Sequence, residues 1–123
     1  MITIEEACAI QKILIERFGG ASGVRDKGLL ESALNRTFQT FNGEDLYIST
    51  IEKSATLIES LITNNPFIDG NKRFTYVAMR ILLLEEALEI DASEDDKYNF
   101  VISIAKGEIK YDDICIWIRN NIK

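Results

Sequence analysis

The chain has 123 residues, of which 46% are hydrophobic and 28% are charged, a composition that suits a single folded domain over residues 1–123 and excludes a disordered chain. Fourteen basic and twenty acidic residues give a net charge of −6, which argues against direct nucleic-acid binding, because phosphate backbones attract a surplus of Lys and Arg. The chain contains no histidine, the side chain most often used for proton transfer near neutral pH. Composition alone therefore argues against an acid–base enzyme.

Targeting, membrane and metal signals are weak. The first six residues lack a basic segment followed by an apolar run, and the longest apolar stretch, residues 77–84, is short and contains Arg80. We therefore expect a soluble, cytoplasmic protein without a membrane span. Cys8 and Cys115 lie far apart and no His accompanies them, so a zinc site is not expected and both are predicted to be buried free thiols.

The spacing of apolar residues predicts an all-α fold, a compact bundle of about six helices. The predicted helices run from a cap at Thr3 to Phe18, from about Lys27 to Phe38, from a cap at Ser49 through Ile62, from about Asn71 to Ala87, from a cap at Ser93 to Gly107, and over the segment that contains Ile114 and Ile122. The last segment also alternates as a strand would, but no strand partners are visible, so a helix is preferred. The fourth helix is apolar on nearly every face and is expected to be the most buried.

Apolar residues recur at helical spacing along the first predicted helix: Ala7, Ile10, Ile13, Leu14 and Phe18. An acidic run is expected to be a solvated surface: Glu85, Glu86, Glu89, Asp91, Glu94, Asp95 and Asp96.

The Asn42-Gly43 pair is a strong hairpin signal, which predicts a short two-stranded flap or irregular loop at residues 39–47. An isolated hairpin is marginally stable, so the flap must lean on the helices or await a partner strand.

One segment between two helices is suited to binding an anion. Gly70 permits a close approach of the backbone, and the helix that begins near Asn71 offers free N–H groups and the positive end of its dipole. Lys72 and Arg73 add two positive charges to a helix end where cations are otherwise unfavourable, a conflict that a bound phosphate would remove. Asp69 supplies a hard oxygen of the kind that Mg²⁺ binds. The alternative is an ordinary turn with two solvated cations.

This segment, Asn65-Pro66-Phe67-Ile68-Asp69-Gly70-Asn71-Lys72-Arg73, resembles the Fic/Doc family motif, His-x-Phe-x-(Asp/Glu)-Gly-Asn-(Gly/Lys)-Arg. Residues 17–20, 23–34 and 43–47 are similar to the Doc, or death-on-curing, toxins of this family. The resemblance implies a compact all-α bundle with a flap between two helices. It also implies that the flap, which includes Asn42, Gly43 and Glu44, pairs with the backbone of a target protein.

The resemblance assigns roles within the motif. It implies that Asp69 holds Mg²⁺, that the amides around Gly70, Asn71 and Lys72 form an anion hole, and that Arg73 binds a nucleotide phosphate. Phe67 would be a buried anchor beneath the loop, and it could equally be plain core. ATP is the implied substrate, with Mg²⁺ as the accompanying ion.

Departures from the motif favour one activity. Family members that transfer AMP carry Gly at the position of Lys72 and a second Arg at that of Tyr76, so this chain is more similar to Doc. That similarity implies transfer of the γ-phosphate of ATP to a hydroxyl of a translation factor of the elongation factor Tu class. Gly70 keeps the residue of the AMP-transferring enzymes, so an AMP transferase remains an alternative.

Asn65 stands where the family has the histidine that accepts the proton of the target hydroxyl. An amide is not a base, and the loss of a general base typically lowers the rate by about 10² to 10⁴. We expect a folded, nucleotide-competent and nearly inactive protein. Asn65 is either a natural loss or a replacement that disarms a toxic protein, and the undamaged remainder of the motif favours replacement. A catalytically dead scaffold that binds nucleotide or protein, and a plain helical interaction protein, are the alternatives from other classes.

Regulation by a separate protein is also implied. Some family members carry an inhibitory helix with the pattern Ser/Thr-x-x-x-Glu-Gly/Asn, and no Glu of this chain is followed by Gly or Asn. We therefore expect a separate antitoxin of the Phd type, which docks a disordered-to-helical segment beside the site.

Overall fold

Six α-helices and one hairpin make up the part of the chain that the computed structural model describes, residues 2–47 and 49–123. In chain order they are α1 (Ile4–Phe18), α2 (Lys27–Thr37), β1 (Thr40–Phe41), β2 (Glu44–Asp45), α3 (Thr50–Asn64), α4 (Asn71–Glu85), α5 (Glu94–Ala105) and α6 (Tyr111–Asn120). The predicted all-α class, the six helices and the flap are confirmed. The C-terminal segment is a helix, as preferred, and not a strand.

Side-chain caps fix the starts of several helices. The Thr3 hydroxyl accepts from the Glu6 N–H and the Glu6 carboxylate accepts from the Thr3 N–H, both at 3.1 Å, which completes the predicted capping box. Ser49 and Ser93 cap α3 and α5 by accepting from N–H groups three residues later. Asp26 caps α2 in the same way, a cap that the sequence patterns had not identified.

α3 lies at the centre and packs on α2, α4, α5 and α6, while α4 also packs on α1 and α5. One core cluster joins α3 and α4 to α5 and α6, and a second joins them to α1 and α2. The prediction that α4 is the most buried helix is wrong. Eight residues of α3 are buried against six of α4, because Leu84 faces solvent and the first turn of α4 is open.

One other burial prediction needs correction, and one helix face is more exposed than its apolar spacing suggests. On α1, Ile13 and Phe18 are 58% and 55% exposed, because no helix covers that side of α1 in the described part of the chain. Both cysteines are free as predicted, but only Cys115 is buried and Cys8 is half-buried. The acidic run from residue 85 to residue 96 is exposed at each acidic position, as predicted. Among the described residues, no helix combines the length and the apolarity that a membrane span requires.

Candidate functional site

The site begins where α3 ends. Asn65 caps the C-terminus of α3 in the left-handed region, with φ 45° and ψ 59°, and its N–H donates to the Leu61 carbonyl at 3.0 Å. Asn adopts this conformation more readily than most residues, so Asn65 suits its backbone position. The Arg25 guanidinium, which comes from the segment before α2, donates to the carbonyls of Asn65 and Asn64 at 2.9 and 2.8 Å. The end of α3 is therefore satisfied by a cation, as the helix dipole favours.

The loop from Pro66 to Gly70 is closed on itself by Asn71. The Asn71 amide accepts from the Phe67 N–H at 2.9 Å and donates to the Phe67 carbonyl at 3.0 Å. The Phe67 ring is 1% exposed and lies edge-on to Phe74, with ring centroids 4.7 Å apart. Phe67 is thus buried beneath the loop, as predicted, and the side chain of Asn71 is occupied in holding the loop.

The segment between α1 and α2 supports this loop from outside. Ile68 N–H donates to the Gly23 carbonyl at 3.0 Å, and Arg25 N–H donates to the Pro66 carbonyl at 2.7 Å. Gln11 is buried, with 2% exposed, and its amide donates to the Asp69 carbonyl at 3.2 Å and accepts from the Gly23 N–H at 3.3 Å. Sequence patterns did not reveal these hydrogen bonds, because they join positions far apart in the chain.

The N-terminus of α4 is positive and open. Gly70 occupies the cap position with φ 73° and therefore offers no side chain to the first N–H groups of the helix. Lys72 and Arg73 are exposed in this first turn. The Arg73 guanidinium lies over the Phe18 ring, 4.0 Å from the ring centroid. One face of the guanidinium is therefore covered, while the N–H groups at its edge can still donate hydrogen bonds. This arrangement is suited to an anion.

Asp69 can supply one ligand to a metal ion, but not a complete set of ligands. Its carboxylate accepts from the Ala21 N–H at 2.8 Å, and it is exposed. The described residues contain no group of three or more His, Cys, Asp or Glu that could hold a metal by themselves. Mg²⁺ usually binds through one or two carboxylates together with substrate phosphates and water. Asp69, beside the open and cationic N-terminus of α4, fits that mode of binding.

One cavity of about 530 Å³ joins these residues. It is bounded on one side by the loop and α4, and on the other by α5. Its lining comprises Asn65, Ile68, Asp69, Gly70, Asn71, Lys72, Arg73, Tyr76, Glu94, Lys97, Tyr98, Val101 and Ile102. The structure therefore brings the predicted site residues of the motif together in one pocket and adds the α5 wall, which sequence patterns missed.

Tyr76 lies inside this pocket, one turn after Lys72. Its hydroxyl is buried, and the described residues provide no hydrogen-bond partner for it. Burial raises the pKa of Tyr76 above its ordinary value, against the charge of Arg80, which lowers it, and with that of Glu94, which raises it. The hydroxyl is therefore neutral and free to donate at physiological pH.

The predicted flap residues lie on a separate surface. Asn42 and Gly43 form the turn with φ 53° and 81°, and Glu44 pairs with Phe41 across the hairpin. None of these residues lines the pocket described above. Asp45 ties the hairpin to α3 through an ion pair with Lys53 at 2.9 Å. The flap thus lies against α3 with its strand residues exposed.

Comparison with known proteins identifies this arrangement. A family model described as "Fic/DOC family" matches residues 1–83. A protein named "Toxin Doc" from Mycolicibacterium smegmatis is 37% identical over 84 residues, which cover 63% of this chain and 65% of that protein, so the match spans slightly less than two thirds of its length. "Protein kinase doc" of Escherichia phage P1 is 25% identical over 118 residues, which cover 96% of this chain and 92% of that protein. The chain belongs to the Fic/Doc family and, within it, to the Doc subfamily.

Proposed function

We propose that this protein is a Doc-type toxin that transfers the γ-phosphate of ATP to a hydroxyl of a translation factor of the elongation factor Tu class. The observation that carries the proposal is the open, cationic N-terminus of α4, which shares one pocket with Asn65. The names of the two relatives, a toxin and a protein kinase, support this activity. We further propose that the chain with Asn65 is nearly inactive.

The residues of the pocket divide the chemistry among them. The N–H groups of the first turn of α4, with Lys72 and Arg73, would bind the phosphates and favour the charge that develops during transfer. Mg²⁺, when bound through Asp69, would neutralise phosphate charge. The hydroxyl oxygen of the target forms a bond to the terminal phosphorus, ADP leaves, and the hydroxyl proton must pass to a base.

Asn65 cannot complete the last of these steps. Its amide can accept or donate a hydrogen bond, but it does not take up a proton at any useful pH. The backbone at position 65 is left-handed, a conformation that His also tolerates better than most residues. A histidine could therefore occupy this position without refolding the loop, and its imidazole would open onto the same pocket.

The test is to compare the parent chain with Asn65→His, using ATP labelled in the γ-phosphate and elongation factor Tu as acceptor. We expect Asn65→His to raise transfer by about 10² to 10⁴ and to arrest growth when expressed. Asn65→Gln is the matched control, because it changes the side chain without adding a base. Absence of both transfer and growth arrest in Asn65→His would overturn the proposed toxin kinase.

AMP transfer is a second candidate that one observation favours. Gly70 is the residue that AMP-transferring relatives carry, and it occupies the left-handed cap of α4 with no side chain between the helix end and the pocket. The same Asn65→His protein should then label its target from ATP carrying the label in the α-phosphate. Label from the γ-phosphate alone supports phosphorylation, and label from the α-phosphate alone supports AMP transfer.

A catalytically dead scaffold is the third candidate. The favourable fit of Asn65 to its left-handed backbone is what a natural Asn would show. Such a scaffold would bind ATP with Mg²⁺ and stay inert after the Asn65→His change, which distinguishes it from a disarmed enzyme. If the parent chain and Lys72→Ala both failed to bind ATP, the scaffold and the disarmed enzyme would both be contradicted.

We also propose a separate antitoxin of the Phd type as the protein partner, and the flap at Asn42, Gly43 and Glu44 as the edge that pairs with the target. The exposed strands of the flap support the second of these roles, because an unpaired edge can accept an added strand. Co-expression of the neighbouring gene product should give a complex of fixed stoichiometry with a raised melting temperature. Growth arrest that no neighbouring gene product relieves would contradict the antitoxin.

A further inference from the structure

A second cavity, which we call the α3 groove, begins next to the pocket of the motif loop. Its volume is about 390 Å³, and its walls come from α2, α3, the end of α5 and the segment before α6. Asn64 lines the α3 groove and Asn65 lines the pocket of the motif loop. In the part of the chain that the structure describes, the two cavities share no lining residue. The α3 groove is therefore a separate surface that reaches the position of Asn65.

The α3 groove is the place where α3 is left uncovered. After its first turn, every residue of α3 is buried except Glu59, Thr63 and Asn64, and all three line the groove. Near the other end of α3, Lys53 forms the ion pair that holds the base of the flap. The uncovered strip of α3 therefore lies between the flap and Asn65.

The length of this strip suits an extended peptide. Each residue of an α-helix adds about 1.5 Å, so Asn65 lies about 18 Å along α3 from Lys53. Each residue of an extended chain adds about 3.3 Å, so roughly five or six residues cover that length. A target segment that leaves the flap along α3 and presents its hydroxyl at Asn65 would therefore cross the α3 groove.

The walls of the α3 groove carry more positive than negative charge. The Arg36 guanidinium donates to the Ser60 hydroxyl at 3.1 Å and contacts the Glu59 carboxylate at 3.7 Å. A guanidinium has five N–H donors, so Arg36 keeps donors for a ligand. Lys110 adds a second, exposed cation, and the half-buried Ile109 adds apolar surface beside it. Two cations against one carboxylate make the groove locally positive in a chain whose net charge is −6.

We infer that the α3 groove binds an extended segment of the target protein, and that an acidic side chain of this segment contacts Arg36 and Lys110. Ser60, which Arg36 contacts, lies about 8 Å before Asn65 along α3, so the acidic residue is expected about two or three residues from the modified hydroxyl. The inference rests on the proposed function, in which the flap pairs with the target. Arg36 and Lys110 are thus specificity-determining residues outside the family motif.

The experiment measures transfer by Asn65→His with ATP in excess and with varied concentrations of elongation factor Tu. In this background, Lys110→Glu should raise the KM for elongation factor Tu by about 5- to 50-fold, because it places a carboxylate against the acidic side chain. Glu59→Gln should lower that KM by about 2- to 5-fold, because it frees the Arg36 guanidinium from a competing carboxylate. The kcat and the KM for ATP should not change, because neither residue lines the pocket of the motif loop.

Lys106→Glu is the matched control, since Lys106 is exposed, lies one turn before Lys110 in the chain and does not line the α3 groove. A KM for elongation factor Tu that Lys110→Glu raises no more than Lys106→Glu does would overturn the target site and leave the proposed function standing. A KM that Glu59→Gln raises or leaves unchanged would overturn the acidic segment.

A binding measurement gives a second readout that does not depend on catalysis. Calorimetry of elongation factor Tu with the parent chain, which keeps Asn65, should show weaker binding in Lys110→Glu and unchanged binding in Lys106→Glu. Absence of binding to the parent chain, together with absence of transfer by Asn65→His, would overturn both the inference and the proposed function. Thermal melting of each variant establishes that it is folded, and the exposure of Lys110 and Lys106 makes a folding defect unexpected.

Discussion

The motif loop and the flap are built in opposite ways. In the loop, Phe67 is buried, and its backbone N–H and carbonyl both bind the Asn71 side chain. In the flap, all four strand residues are exposed, and Phe41 is 71% exposed. The loop therefore carries its own small core and a set of hydrogen bonds closed by a side chain, whereas the flap has strand pairing but no core.

The flap is held by its base instead. Asp45 forms the ion pair with Lys53, Leu46 N–H donates to the Gln39 carbonyl at 2.8 Å, and the Tyr47 ring lies 5.9 Å from that of Tyr111. The difference suits the two proposed roles. Donors aimed at a small anion must be fixed in advance, while an edge that accepts a segment of another protein must stay uncovered.

The largest effect on stability is expected when the core of the loop is removed. Phe67→Ala should lower the free energy of unfolding by about 3 to 5 kcal/mol, because it leaves a cavity against Phe74. Phe41→Ala, its counterpart in the flap, should change the free energy of unfolding by less than about 0.5 kcal/mol. Urea denaturation measures both values. Similar losses in the two variants would show that the comparison between loop and flap is wrong.

A smaller effect is expected when the hydrogen bonds of the loop are removed. Asn71→Ala should cost about 1 to 3 kcal/mol, because the Phe67 N–H and carbonyl lose their partner. Asn99→Ala on α5 is the control, since Asn99 is exposed and Ala favours helices. Urea denaturation again measures the free energy of unfolding. If Asn71→Ala lost as little of it as the control, water would be replacing the hydrogen bonds of the Asn71 amide.

The sequence predicted the helices and the motif loop well because their signals are local. Thr3, Ser49 and Ser93 cap N–H groups three residues away, and the Asn42-Gly43 turn requires only its own two left-handed residues. The grouping of motif residues at the start of α4 follows from their adjacency in the chain. The site could therefore be outlined from the sequence before its geometry was known.

The remainder depends on contacts between distant positions. Gln11 reaches Asp69 across 58 positions, and Arg73 lies on Phe18 of another helix. The α5 wall of the pocket carries no motif, and its nearness to α4 arises only from packing. The burial of α4 was overestimated for the same reason, since apolar content does not reveal that Leu84 lacks a neighbouring helix.

Two titratable groups near the base of the flap, Tyr111 and Cys115, make the stability of the protein depend on pH. Burial, followed by the nearby Cys115 thiol, raises the pKa of the Tyr111 hydroxyl above its ordinary value, and burial raises that of Cys115. The folded state therefore favours the neutral forms. The stability from these groups is fully present below their ordinary pKa values, near 9 and 10, and is lost as the pH rises toward the folded-state values.

We expect the urea midpoint to fall above about pH 9. In Tyr111→Phe the fall should be shallower, because Cys115 and Tyr76 then carry the remaining dependence. A midpoint that falls as steeply in Tyr111→Phe as in the parent chain would contradict the role assigned to this hydroxyl.

The smallest expected effect concerns the ion pair of the flap. Asp45→Asn should cost about 0.2 to 1 kcal/mol, because the pair with Lys53 is partly exposed and screened by salt. Since the flap has no core, the loss should appear as local opening: exchange of the Leu46 amide should rise by about 1.4- to 5-fold with little change in the urea midpoint. Glu31→Gln breaks the exposed pair with Lys27 on α2 and should leave exchange at Leu46 unchanged. A global loss in Asp45→Asn as large as that in Asn71→Ala would mean that the flap is part of the cooperative core, and that its exposed edge is held in place as firmly as the motif loop.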